Sequence, residues 1–469
     1  MSRSSNISPK SCNYFGNTFD YNIKNIPKEA DITELGKIIA NLPLEPQLAS
    51  VSHCDPGMVS PSRCSRLLLF GLAFKCLNPI TTLVAAVSYR DPFLLTIGSD
   101  DEKKRNALTA REKLCKYDLS DHLMLIRLFN AYESQTTQYL RKDFCDHYLV
   151  SEQAMKMIHG IKNQLICELR RCNLISENVF RAEDDISLNK YSDSWPLVQA
   201  IIVAGSYPNI GYVQRGGKFN RIRSHIGKAS ILHASSSLKK QLLAPSNKKN
   251  SQSDTLEPEY FVFHEAIAKD DNNNNQHSIK TVTAVPQLSV LLFAGPIRMA
   301  AQALAHFEIV DPNGDLKRKR LEILNNKIAE WKEQRKNERR LWNQDIIDIN
   351  DNNNQDNDEE DEELPSFLTD EEFLQLDRWF GFRAKFDTLQ SILRLRCRIM
   401  DLFIRTLTHG NYMEHDEALL DCINKILCIS HKVNGFNTVN DLSRGNSMRK
   451  IQPLYNSRRN FSQKPFWLK

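Results

Sequence analysis

The sequence predicts an α+β, multi-domain chain: an all-α unit first, a small antiparallel β-barrel second, and a C-terminal helix docking on the barrel. Three observations carry that expectation. Apolar residues step by three and four up to about residue 205. Beyond it the apolar period shortens to strand-sized runs. Proline, glycine or a helix-capping residue stands at most of the breaks.

With 469 residues, 41% of them apolar, the chain has the material for more than one core. No run approaches the roughly 18 apolar residues of a membrane-spanning helix, and the opening MSRSSNISPK lacks the apolar stretch of a secretory leader. The eleven cysteines are odd in number, and several (Cys76, Cys167, Cys397) stand inside apolar helical patterns. Buried, reduced thiols are therefore expected rather than a disulfide framework, and with them a cytoplasmic chain, also nuclear, without a membrane partner. The net charge of +5 is small, so local charge is the better guide to an anionic partner.

Residues 1–30, rich in Ser and Asn, are expected to form a disordered leader. A short amphipathic piece, Ile32 to Leu42, stops at Leu42-Pro43-Leu44-Glu45-Pro46, and residues 49–65 are small, polar and proline-bearing, hence a loop. The helical domain spans 66–205. Arg66 to Leu77 is apolar, and Asn78-Pro79 offers an N-cap and a first-turn proline for a second helix to Tyr89. Ser120 and Asp121 cap a helix with Leu125, Leu128, Phe129 and Tyr132 on one face. Ser151 opens another, with Met155, Ile158, Leu165 and Leu169 in a stripe that Lys162 interrupts. Ser194-Trp195-Pro196 starts a helix through Ala204, with Gly205 expected as its left-handed C-terminal cap.

Over residues 206–313 six strand-sized pieces (210–213, 222–226, 230–232, 260–264, 279–285 and 288–293) predict the barrel, with polar loops at 239–259 and 269–277. Residues 314–365 form a charged insert, helical over Asp315 to Trp342 and then acidic and self-repelling at 351–363. Thr369 and Glu372 read as a capping box, and Phe386, Leu389, Leu393, Met400, Ile404 and Leu407 share a stripe, so 366–410 is expected to be a helical part of the barrel region. Residues 411–469 remain as a tail.

Several short strings, in order, resemble the C-terminal region of DExH/DEAH-box RNA helicases. Thr33-Glu34-Leu35-Gly36 and Leu42-Pro43-Leu44-Glu45-Pro46 look like the end of that family's winged-helix domain, which makes 31–48 its remnant. Cys76-Leu77-Asn78-Pro79, Tyr89-Arg90-Asp91-Pro92-Phe93 and Ser120-Asp121-His122 are similar to the helicase-associated, or ratchet, domain. Ala204-Gly205-Ser206-Tyr207-Pro208-Asn209, Leu232-His233-Ala234-Ser235-Ser236 and Trp379-Phe380-Gly381-Phe382 are similar to the OB-fold region, and Leu292 to Arg298 looks closest to the branch that carries a YTH domain. The resemblance implies an accessory module that lines a channel for single-stranded RNA in a 3'-5' helicase. The motor itself is not expected here. The nearest approach to a phosphate loop, Gly216-Gly217-Lys218-Phe219, lacks the first glycine and the hydroxyl for magnesium, so ATP and magnesium are expected only on motor domains outside the chain. The alternative is a motor-less adaptor that works through protein contacts.

The candidate RNA-binding residues follow from charge and position. Arg215, Lys218, Arg221, Arg223 and Lys228 put five cations on one strand-turn-strand, a pattern that neutralises phosphates but also suits a solvated hairpin. His233 and Ser235 stand at a strand end and Tyr207 and Asn209 follow a helix end; each can meet RNA or satisfy its own turn. Arg90, Asp91 and Phe93 are expected to be structural, as an ion pair or cap and a core plug between neighbouring domains. Cys167 and Cys172 have no second pair, and His122, His147 and His159 are scattered, so no metal site and no catalytic residue are expected; the histidines are placed at helix surfaces.

Overall fold

The computed structural model describes residues 63–94, 119–214, 221–226, 230–238, 260–268, 277–297, 299–311, 313–346, 371–377, 380–409 and 414–434, together with 105, 109–111, 114–115 and 436. The expectations for residues 1–62, including the leader and the winged-helix remnant, lie outside these. They separate into two compact units, one holding residues up to 295 and from 400 onward, the other 296–399.

In the first unit, α1 (Arg63–Ala73) and α2 (Leu77–Val87) form a tight corner. The second helix begins at Leu77 with Cys76 in the N-cap position and no side-chain cap; Asn78, expected as the cap, lies inside and its amide donates to Asn189 Oδ1 at 2.8 Å. Ser120 caps α3 (Asp121–Glu133) by accepting from the Leu123 amide at 3.0 Å, and α4 (Gln138–Tyr148) and α5 (Glu152–Arg171) follow. Lys162, the lysine in the apolar stripe of α5, is buried, with its ammonium on Glu133 and Glu183 at 3.1 and 2.8 Å. A pair of carboxylates makes burial of that charge tolerable.

Helix α6 (Trp195–Ser206) is buried along its whole length. Gly205 lies within it rather than capping it. A Cβ there would stand 2.4 Å from Leu67 Cγ and 2.8 Å from Leu67 Cα, so the missing side chain is what lets α1 pack against α6. Close approach, not a left-handed turn, explains this glycine.

Strands β1 (Ile210–Gln214), β2 (Arg221–Ser224), β3 (Ser230–Leu232), β4 (Tyr260–Ala268) and β5 (His277–Val285) close into a barrel in the order β1-β2-β3-β5-β4. Four pairings are antiparallel and one, Ser230↔His277 to Leu232↔Ile279, is parallel. The expected small barrel is thus present, and its one parallel step has a simple ground: a closed ring with an odd number of strands cannot alternate direction at every step. The sixth expected strand, 288–293, is instead helix α7 (Gln287–Phe293). It has no alternation, and Val290, Leu292 and Phe293 are all buried, a pattern that period alone does not assign. Ile222, Leu232, Phe261, Phe263, Ile279, Val282 and Ala284 fill the barrel.

The second unit holds α8 (Ala301–His306), the 32-residue α9 (Asp315–Ile346), a hairpin of β6 (Glu371–Asp377) and β7 (Phe380–Lys385), and the first part of α10 (Phe386–His409). Of the capping box expected at Thr369 and Glu372, Thr369 lies outside the described residues, and Glu372 pairs with Ala384 in the hairpin rather than standing in a helix. Leu374, Leu376 and Phe382 are buried while their neighbours are not, which is strand alternation. Phe380-Gly381-Phe382 accordingly belongs to a two-stranded sheet outside the barrel.

The expected tail contains α11 (Glu414–Val433), which returns to the first unit. Lys75 reaches Glu417 at 2.7 Å, Tyr191 reaches Asp421 at 2.7 Å, and Phe436 packs against the barrel core. Under α11, Gln199 donates to the Ala284 carbonyl at 2.7 Å and meets His431 Nε2 at 2.7 Å.

Candidate nucleic-acid interface

Strand β2 carries the cationic candidates that the structure describes. Ile222 points into the barrel and is 5% exposed, and alternation sends its neighbour Arg223, paired with Tyr212, to the outside, where it is exposed. Arg221 lies two residues away in the same strand, opposite Gln214. Arg215, Lys218 and Lys228 lie outside the described residues. A guanidinium on the outer face of a barrel strand, next to the half-buried Tyr212 of β1, offers a charge for a phosphate with an aromatic ring near it.

Of the other candidates Asn209 and Ser235 are buried and Tyr207 and His233 half-buried. The amide of His233 donates to the Ile279 carbonyl at 2.9 Å, and its Nδ1 accepts the Ser235 amide at 3.1 Å with the Ser235 hydroxyl at 2.8 Å. An amide can only donate, so Nδ1 is the unprotonated nitrogen. Ser235 is buried and its carbonyl accepts from Arg111 at 2.6 Å. Asn209 is buried too: its side chain donates to the His264 carbonyl at 2.9 Å and its own carbonyl accepts from Phe263 at 3.1 Å. The Tyr207 carbonyl accepts from Arg66 at 3.0 Å, with the Arg66 guanidinium 5.9 Å from the ring centre. The polar atoms of Asn209, His233 and Ser235 thus join segments of this unit.

What the sequence reasoning missed is how firmly the helical part grips the barrel. Asp121, read as a cap, is 3% exposed and accepts four hydrogen bonds: from the Ser236 hydroxyl (2.7 Å), the Ser237 amide (3.0 Å), the Ser237 hydroxyl (2.6 Å) and the Val282 amide (3.0 Å). Burial pushes its carboxyl up while these four donors hold it down. His122, expected at a helix surface, is buried, with Nδ1 2.7 Å from the Thr283 hydroxyl, and burial pushes its imidazole down to about 3. Arg111 donates to Asp91 at 2.9 Å and to Ser235, and lies 4.4 Å over the Phe93 ring. Asp91, expected in an ion pair or cap, pairs with Arg111 and accepts from the Phe93 amide at 3.1 Å; Arg90 is exposed, its guanidinium 5.5 Å from the Tyr89 ring. Phe93 is buried, as a core plug should be. Only the string Ser120-Asp121-His122 hinted at this joint, and its chemistry depends on partners more than 110 residues away.

Comparison with known proteins points the same way. Residues 61–125 match the helicase associated domain (HA2), ratchet-like, and residues 198–297 match the oligonucleotide/oligosaccharide-binding (OB)-fold. The chain is 30% identical over 205 residues to the human ATP-dependent DNA/RNA helicase DHX36, covering 43% of this chain and 17% of that protein. It is 31% identical over 209 residues to the DExH-box ATP-dependent RNA helicase DExH3 of Arabidopsis thaliana, covering 44% and 15%. Against DExH6 of the same plant the match is 27% over 275 residues, covering 58% and 18%. The chain thus spans less than a fifth of the length of these curated relatives. Helical ratchet followed by a closed five-stranded OB barrel, this chain is similar to the C-terminal region of DExH-box helicases.

Proposed function

We propose that the chain is an RNA-binding accessory module of a DExH-box ATP-dependent RNA helicase of the 3'-5' type, whose barrel lines the path of a single strand in the cytoplasm. ATP and magnesium are the business of motor domains outside it, and the string Leu292 to Arg298 supports kinship with the YTH-carrying branch. The observation that carries the reading is the joint: ratchet helices and barrel share a buried carboxylate, Asp121, and a buried guanidinium, Arg111. Two elements locked in this way move together, which suits a surface that guides a strand while force is applied elsewhere.

The test is fluorescence anisotropy of the purified chain with a labelled oligouridine across a salt series. Affinity is expected to fall steeply with salt. The variant Arg215→Glu/Lys218→Glu/Arg221→Glu/Arg223→Glu is expected to bind at least about tenfold more weakly and to lose up to ~3 from the log–log salt slope, at ~0.7 per single-strand phosphate contact. Unchanged affinity and slope in that variant would sink the barrel assignment. Absence of RNA binding by the wild-type chain would instead favour an adaptor acting through protein contacts.

A further inference from the structure

Helix α9 stands apart in being exposed along most of its length. Its charges are sorted around the axis. Lys332, Arg335, Lys336, Arg339 and Arg340 follow the spacing i, i+3, i+4, i+7, i+8, which is one face of a helix, and Glu330, Glu333 and Glu338 fall on the other half. Lys332, Arg335, Lys336 and Arg340 are exposed, and no carboxylate among the described residues forms an ion pair with any of the four. Arg335 lies 5.8 Å from the ring centre of the half-buried Trp331. The cation used for anchoring is an earlier one: Arg320 donates to Glu372 at 3.2 Å and lies 3.4 Å over the Phe386 ring.

Cations four apart repel along a helix, by some tenths of a kcal/mol per pair, so the stripe carries a standing cost that a bound polyanion would relieve. From Lys332 to Arg340 the rise is about 12 Å. A strand stacked as in a duplex advances roughly 3.4 Å along its axis per phosphate, so the stripe spans about three such steps, and fewer on a more extended strand. We infer that this stripe is a second RNA contact, a sequence-independent clamp on the phosphodiester backbone of a single strand, separate from the barrel. The inference rests on the nucleic-acid reading above for its choice of anion. A lipid surface fits less well, because a helix lying in a bilayer interface buries an apolar half, whereas here the half opposite the cations is acidic.

The experiment compares full-length wild type, Lys332→Gln/Arg335→Gln/Lys336→Gln/Arg340→Gln, and the barrel charge-reversal variant, with labelled oligouridine and with anionic phosphatidylserine vesicles. Glutamine keeps nearly the helix propensity of lysine and arginine, and circular dichroism checks that the helix survives. The α9 variant is expected to bind RNA about tenfold or more weakly near 0.1 M salt, with a salt slope shallower by roughly 2 to 3. That result supports the clamp even if the barrel variant binds like wild type, which would refute the barrel site alone. Wild-type affinity and slope in the α9 variant overturn the clamp, and so does a loss confined to vesicle binding.

Discussion

Asp121→Ala is expected to loosen the joint between helix α3 and the barrel, and the size of the effect can be worked from four contacts. Two of the donors to Asp121 are hydroxyls, Ser236 and Ser237, which can rotate toward other acceptors; Ser237 Oγ already lies 3.2 Å from Cys115 Sγ. The other two, the amides of Ser237 and Val282, are fixed by the chain and would face a dry cavity. Each orphaned buried donor costs about 1–3 kcal/mol, so the variant should lose about 2–6 kcal/mol, the lower half being favoured because removing the carboxylate also removes its own desolvation cost. For a unit of this size ~1 kcal/mol lowers Tm by about 2–4 °C, so ~3 kcal/mol corresponds to roughly 6–12 °C. Asn is no rescue. The two amides bond to different oxygens, so the new NH2 group meets a donor whichever way it is turned. Ser236→Ala removes one hydroxyl and should cost only about 1 kcal/mol. Thermal unfolding followed by circular dichroism at neutral pH measures all three. If Asp121→Ala loses less than about 1 kcal/mol, or no more than Ser236→Ala, the carboxylate is not the joint described.

Acid should unfold the first unit in a defined window. His122 is pushed down to about 3 from the usual 6.5, so as pH falls the unfolded chain takes up this proton first; stability is intact above about 6.5 and is lost as pH falls toward 3. At 1.36 kcal/mol per pH unit the loss from this residue should be about 2–3 kcal/mol by pH ~4.5; denaturant midpoints for wild type and His122→Asn read it, and identical slopes against pH would refute it. Gly205→Ala should cost about 1–3 kcal/mol by forcing Leu67 away, and Leu67→Ala in the same chain should offset part of that cost; strict additivity of the two would contradict the close packing. Arg111→Ala should cost about 3–5 kcal/mol because Asp91 and the Ser235 carbonyl lose their partner, whereas Arg90→Ala should stay within about 0.5 kcal/mol; the reverse ranking would contradict the Arg111–Asp91 pair.

The helices that were legible share two properties: a regular apolar step and a polar residue at the start. Ser120, Ser151 and Ser194 precede α3, α5 and α6, and the first two accept from the amides of Leu123 and Ala154. Helix α11 had the step, with Leu420, Ile423, Leu427 and His431 all buried, but it lies after a long polar stretch and its polar positions dominate the reading. The apolar run at 288–293 is too short and too uniform to show a period, and a glutamate such as Glu372 fits the first turn of a helix as readily as the start of a strand. Among the site candidates Arg223 needed only alternation to be placed on the outer face. Asn209 and Ser235 could not be judged, because a polar residue near a turn looks the same whether it faces solvent or a carbonyl distant in the chain.

The amino-acid order by itself determined the division into a helical part and a barrel and most element starts, since period, capping and turn chemistry are local properties of the chain. It also sorted the charges of α9 onto two faces, because helical spacing is a property of sequence order. Tertiary structure alone decided that Asp121, His122 and Arg111 are buried and what they hold, that Gly205 makes room rather than a turn, and that β3 and β5 run parallel. Each of these depends on which distant backbone groups arrive beside a residue. Only chain closure, with its desolvation and steric exclusion, supplies that information.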